Sequence, residues 1–126
     1  MKLIELTVRD YLAMLCSSEH AAPGGGSASA LMGAQGAGLT SMVCGFTIGK
    51  KRYAEHEDLC RDVMEKSAQL KDKLMALIDR DTEAFNSVTA VFAMPKDTEQ
   101  EKDMRKQAMQ AALKSCTVTP FETMEY

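Results

Sequence analysis

The sequence predicts an all-α fold: an up-and-down bundle of about four long helices followed by the first turns of a truncated fifth. Three observations carry this. Apolar residues recur at three- and four-residue spacing over long stretches, with no strand-like alternation of useful length. Helix start signals occur at Thr7, Ser27, Thr98 and Thr119. Three prolines and no tryptophan leave few interruptions. At 126 residues with 45% hydrophobic content, the chain has the size and apolar content of one domain, residues 1–126, with a core of its own.

The first helix is expected from Thr7, with Asp10 as a weak capping-box partner, and Val8, Tyr11, Leu12, Leu15 and Cys16 on one face. The second is expected from Ser27, as N-cap, to about Ile48. It lies in the run from Ala21 to Gly49, which holds no charged residue although 26% of the chain is charged. Gly26, Ala30, Ala34, Ala37 or Gly38, Ser41 and Gly45 form a ridge of small residues along it. Each helix-interior glycine costs about 1 kcal/mol relative to alanine, so close approach of another backbone is the expected compensation. The third helix is expected from about Glu55 to Met94, ended by Pro95. Its stripe is Leu59, Val63, Leu70, Leu74, Leu77, Ile78, Phe85, Val88 and Phe92. The fourth starts at the Thr98–Glu101 capping box and is expected to stop near Thr117. Thr119-Pro120-Phe121-Glu122 then reads as a further helix start, cut short at Tyr126.

Charge and composition narrow the function. The net charge is −3, from 15 basic and 18 acidic residues, with no basic stripe, so no nucleic-acid partner is expected. Cys16, Cys44, Cys60 and Cys116 form no C-x-x-C pair and have no metal-ligand spacing to His20 or His56; they read as reduced, buried small hydrophobes. No metal site is expected. The charged N-terminus is no signal peptide, and the uncharged run is too rich in Gly, Ala, Ser and Thr for a membrane span. A cytoplasmic protein is the expectation.

Two features invite chemistry. The Pro23-Gly24-Gly25-Gly26-Ser27 stretch sits at a helix start, where free N–H groups and the positive dipole end attract anions; a flexible turn with close packing reads it equally well. Asp81 falls in the middle of the third helix's apolar stripe. A carboxylate there is either paired, to a lysine or a helix end, or faces a pocket where it works as an acid or base. Lys50, Lys51 and Arg52 read first as cations at a helix C-terminus. His20, near the glycines, reads as an exposed loop residue.

At PGGGSASA, IGKKRY, DRDTEAF and MPKDT, in that order, the chain resembles the formiminotetrahydrofolate cyclodeaminase / methenyltetrahydrofolate cyclohydrolase family. The resemblance runs from the first helix to the last residue. It implies a helical fold that dimerises and binds a reduced folate near the subunit interface, with no cofactor. Carried over by motif, Gly24, Gly25, Gly26 and Ser27 would lie against the folate, Lys50 and Arg52 near its anionic parts, and Asp81 would be the acid/base group. Members of the family continue beyond the Val-Thr-Pro point, so a C-terminally truncated domain is the expectation. The resemblance implies either cyclodeamination of 5-formiminotetrahydrofolate, with loss of ammonia, or hydrolysis of 5,10-methenyltetrahydrofolate to the 10-formyl form. The alternative is a helical dimerisation module, or folate-binding fragment, without turnover.

Overall fold

The computed structural model describes residues 1–126. A short 3-10 turn at Leu3–Glu5 leads into α1 (Val8–Cys16). Then follow α2 (Gly25–Thr47), a stretch of 3-10 helix (Lys51–His56), α3 (Glu57–Phe92) and α4 (Glu99–Glu125). There is no strand. At 36 residues, α3 runs about 54 Å and is the spine against which α2 and α4 pack.

Two starts fall where local chemistry puts them. The Thr7 hydroxyl accepts from Asp10 N at 3.1 Å and caps α1. The full capping box is present at α4: Thr98 Oγ1 accepts from Glu101 N at 3.1 Å, and Glu101 Oε2 accepts from Thr98 N at 3.0 Å. Other boundaries differ from expectation. α2 begins at Gly25, with Gly24 as its N-cap, so Ser27 lies inside the first turn rather than capping it. Gly49, at φ +79°, stops α2 in the left-handed region that glycine enters without a Cβ clash. Lys51–His56 wind as 3-10 helix before α3. No separate fifth helix starts at Thr119: α4 runs unbroken to Glu125 with Pro120 inside it. Buried Thr119 holds that turn against the bundle, and the missing Pro120 N–H removes the ladder bond to the Cys116 carbonyl.

The core has two parts. In the first, Leu74, Leu77 and Ile78 of α3 meet Ala30 and Ala34 of α2, Tyr11 of α1, and Leu3. Ala30 is fully buried and a Cβ on Gly33 would touch Leu74, so this half of the small-residue ridge does admit α3 closely. The other half does not follow: Gly45 is exposed. In the second part, Val88 and Val91 of α3 meet Ala112 of α4. The ends of the expected stripe are uncovered, since Leu59 and Phe92 are exposed. So is an α2 face made by Leu39, Met42, Val43 and Phe46, the last 70% exposed. Among the cysteines, Cys44 is buried, Cys60 and Cys116 are half-buried, and all four are free thiols; Cys16 departs from the buried expectation and is exposed. No helix is long and apolar enough to cross a membrane.

Candidate active site

Asp81 stands on α3 between the two parts of the core, where the apolar stripe is interrupted. Three consecutive residues here tie three other segments to α3. Asp79 Oδ1 accepts from Leu3 N at 2.6 Å and pins the N-terminal turn. Arg80 Nη1 meets Glu122 Oε2 at 2.9 Å and joins α4. Asp81 Oδ2 accepts from Ser27 N at 3.0 Å and joins α2.

That last bond explains the start of α2. The first-turn N–H groups of a helix need outside acceptors. An N-cap side chain normally serves the third of them, but Gly24 has no side chain. Asp81 takes that place from another helix. The carboxylate lies at the positive end of the α2 dipole. Gly26 is what lets it in: a Cβ at that position would collide with the carboxyl group. The glycine stretch is thus no open cradle for an outside anion along this edge, because the chain's own carboxylate fills it. Of the two readings of Asp81 made from the sequence, the pairing with a helix end is the one seen here; the residue is half-buried, and the hollow beside it is lined by Gly26 rather than by Asp81 itself.

The Ser27 side chain locks the same junction. It is fully buried, and its hydroxyl donates to the Ile78 carbonyl. That carbonyl is the one the Thr82 hydroxyl would ordinarily bond, one turn back along α3. The Thr82 hydroxyl is left buried without a partner.

Two further side chains lie in the field of Asp81 that sequence reasoning did not connect to it. Burial first, and the Asp81 charge second, raise both the Tyr11 phenol and the Cys116 thiol above their ordinary ranges. The Cys116 thiol donates to the Ala84 carbonyl at 3.0 Å, while the buried Tyr11 hydroxyl has no partner. Tyr11 was visible as a core residue of α1, but no local pattern in either residue points across the fold to Asp81.

A hollow of about 330 Å³ opens beside this junction, lined by Gly25, Gly26 and Ser29 of α2 and by Pro120, Thr123 and Met124 of α4. Gly26 belongs to both, facing Asp81 and lining the hollow. Lys50 and Arg52 are not brought here. They follow the far end of α2, which at 23 residues is about 35 Å long. Both are exposed, with the Arg52 guanidinium over the Tyr53 ring at 5.4 Å. The α2 C-terminus itself is closed by Ile48 N donating to Cys44 O, without these cations. His20 is exposed, as expected.

Chemically, the junction offers one carboxylate fixed through Oδ2, with no protein donor on Oδ1. Such a group can take or give a proton at a defined point.

Residues 7–126 match the formiminotransferase-cyclodeaminase family profile. The chain belongs to this formiminotransferase-cyclodeaminase family. Within it, the chain is 46% identical over 115 residues to a methenyltetrahydrofolate cyclohydrolase of Methylorubrum extorquens, covering 91% of this chain and 55% of that protein. It is 37% identical over 100 residues to the formimidoyltransferase-cyclodeaminase of Gallus gallus, covering 79% of this chain and 18% of that one. The fold is similar to the crystal structure of a formiminotetrahydrofolate cyclodeaminase from Thermotoga maritima. The TM-score is 0.79 at 27% identity, over 98% of this chain and 57% of that one. The chain thus spans about half the length, or less, of these formiminotransferase-cyclodeaminase relatives.

Proposed function

We propose that this chain carries the acid/base part of a folate one-carbon enzyme, acting on a C–N bond of a tetrahydrofolate derivative. The observation that carries the reading is Asp81: a half-buried carboxylate held by the Ser27 amide against Gly26, with its second oxygen unclaimed. In the cyclohydrolase reaction, water attacks the methenyl carbon of 5,10-methenyltetrahydrofolate. Asp81 takes the first proton that water sheds and passes it to N5 as the C–N5 bond opens, while the remaining hydroxyl proton leaves to solvent as the formyl C=O forms, giving the 10-formyl compound. In the cyclodeaminase reaction, N10 attacks the carbon of the protonated (iminium) formimino group of 5-formiminotetrahydrofolate. Asp81 receives the N10 proton and returns it to the departing ammonia. The relative at 46% identity is named for the first reaction, so hydrolysis of the methenyl compound is the first to assay.

Neither proton relay calls for a cofactor. Gly25 and Gly26 line the hollow, which has room for part of a folate, with Gly24 just ahead of them; fully buried Ser27 serves the site by holding Asp81 rather than by facing the ligand. Lys50 and Arg52, about 35 Å away along α2, reach a folate at Asp81 only from a second copy of the chain. A homodimer through the uncovered α2 face is therefore part of the reading, as is a cytoplasmic setting for the soluble substrate.

Asp81→Asn tests it. Asparagine keeps an acceptor oxygen for the Ser27 amide but cannot take the proton. Turnover, followed by the methenyl absorbance with each substrate, is expected to fall by about 10²–10⁴-fold with the helical content unchanged. Turnover near that of the unmodified chain would remove Asp81 from the reaction.

A further inference from the structure

The turn between α3 and α4 holds a second hollow, of about 300 Å³, lined by Phe92, Lys96, Lys102, Arg105, Lys106 and Met109, with no acidic residue among its lining. Phe92 is eleven residues beyond Asp81, about 16 Å along α3, so this is a separate place in the fold.

Four cations around one small hollow, in a chain of net charge −3, call for an account. Structural roles cover two of them. Arg105 is half-buried and serves the end of α3: Nε donates to Val91 O at 3.2 Å and Nη2 to Phe92 O at 3.4 Å. Lys102 pairs with Glu99 at 2.7 Å. Lys96 and Lys106 have no ion-pair partner. The end of α3 does not need them, because Ala93 N and Met94 N already bond back to Ala90 O and Val91 O. Spacing on α4 gathers the charge: Lys102, Arg105, Lys106 and Met109 fall at intervals of three and four, on one face. Asp97, Glu101 and Asp103 carry charge nearby, but none of them lines the hollow; Asp103 accepts from Gln107 at 3.1 Å and Glu101 closes the capping box. Like charges held together repel, and a multivalent anion relieves this. The floor is apolar, since Phe92 is 61% exposed and Met109 packs beside the second part of the core.

We infer that this hollow binds a multivalent anion, a clustered carboxylate or phosphate group, between Lys96 and Lys106, with Arg105 already fixed in place by its two carbonyl bonds. The exposed Phe92 ring gives any flat body attached to the anion a surface to stack on. The inference is independent of the Asp81 chemistry.

Pyrophosphate and citrate are the probes, titrated separately into the 126-residue chain at low ionic strength, by calorimetry and by thermal shift. Saturable binding at one site per chain is expected, weakening as salt rises. Lys96→Gln/Lys106→Gln is expected to weaken it by about tenfold or more and to abolish the anion-induced rise in Tm. Lys2→Gln/Lys66→Gln, the same change in net charge elsewhere, is expected to leave both nearly unchanged. Tighter binding of pyrophosphate assigns the site to phosphate, and of citrate to carboxylate. Absence of saturation up to about 10 mM, or equal weakening by the two double variants, overturns the inference.

Discussion

At the scale of single residues, Asp81 works as a joint before it works as an acid. With Asp79 and Arg80 it forms three adjacent tethers, to the N-terminal turn, α4 and α2. Gly26 is its necessary partner. In Gly26→Ala the methyl group needs the space the carboxyl occupies, so Asp81 must swing away and the Ser27 amide loses its acceptor. Alanine is otherwise the better helix former, so a propensity argument alone expects stabilisation. The expected outcome is a loss of about 1–3 kcal/mol in denaturant unfolding, together with loss of turnover. A more stable and active Gly26→Ala would show that the close approach is dispensable. Asp81 was legible in the sequence because a charge broke an apolar period. Pairing to a helix end was one of its readings, but which amide it serves was not legible, because that amide is 54 residues away. Ser27 was misread for the same reason: a serine just after glycines signals a cap, and here it is buried and bonded to Ile78 instead.

At the scale of elements, the boundaries that sequence placed well are the ones decided locally. The caps of α1 and α4 lie within four residues of the amides they serve. Thr98→Ala removes half of the α4 box and should cost about 1 kcal/mol in thermal or denaturant unfolding, with Thr98→Ser restoring most of it. A loss within error would mean that packing of α4, rather than its cap, sets its stability. The α4 end was misplaced because Thr-Pro-x-Glu is also a legitimate start signal. Tertiary burial of Thr119 decided otherwise, and no pattern of near neighbours contains that fact. Likewise the Arg80–Glu122 pair that holds this last part of α4 to α3 lies 42 positions apart in the chain.

For the whole molecule, the fold class was legible because helical period and caps act over short range, whereas the assembly is not. Leu39, Met42, Val43 and Phe46 recur at three- and four-residue intervals, a pattern that equally describes a buried stripe, yet all four are exposed in the single chain. Val43→Asp/Phe46→Glu tests the proposed dimer. Val43 and Phe46 are 60% and 70% exposed in the single chain, so the double variant should keep its helical content while its mass by light scattering falls from dimer to monomer. The unmodified chain behaving as a monomer would leave the Lys50 and Arg52 assignment without support. The molecule should also weaken in alkali. Burial raises Cys44, Cys116 and Tyr11 in the folded state. As pH climbs through the ordinary thiol and phenol ranges, the unfolded chain sheds protons that the folded chain retains. Their stabilising contribution is full below those ranges and is lost as pH rises through the raised values. Unfolding midpoints should therefore fall on going from neutral to strongly alkaline pH, and less steeply in Cys44→Ala/Cys116→Ala.

The bond from Ser27 N–H to Asp81 has a use beyond holding α2 in place. A backbone amide's resonance and its exchange with solvent deuterium both respond to the charge on its acceptor. The Ser27 signal is therefore a gauge of the carboxylate that requires no label on the carboxylate itself. A ligand that hands Asp81 a proton would move this signal, and one that merely fills the hollow beside Gly26 would leave it almost still. Spectra of one amide could thus separate occupancy of the cleft from the first chemical step.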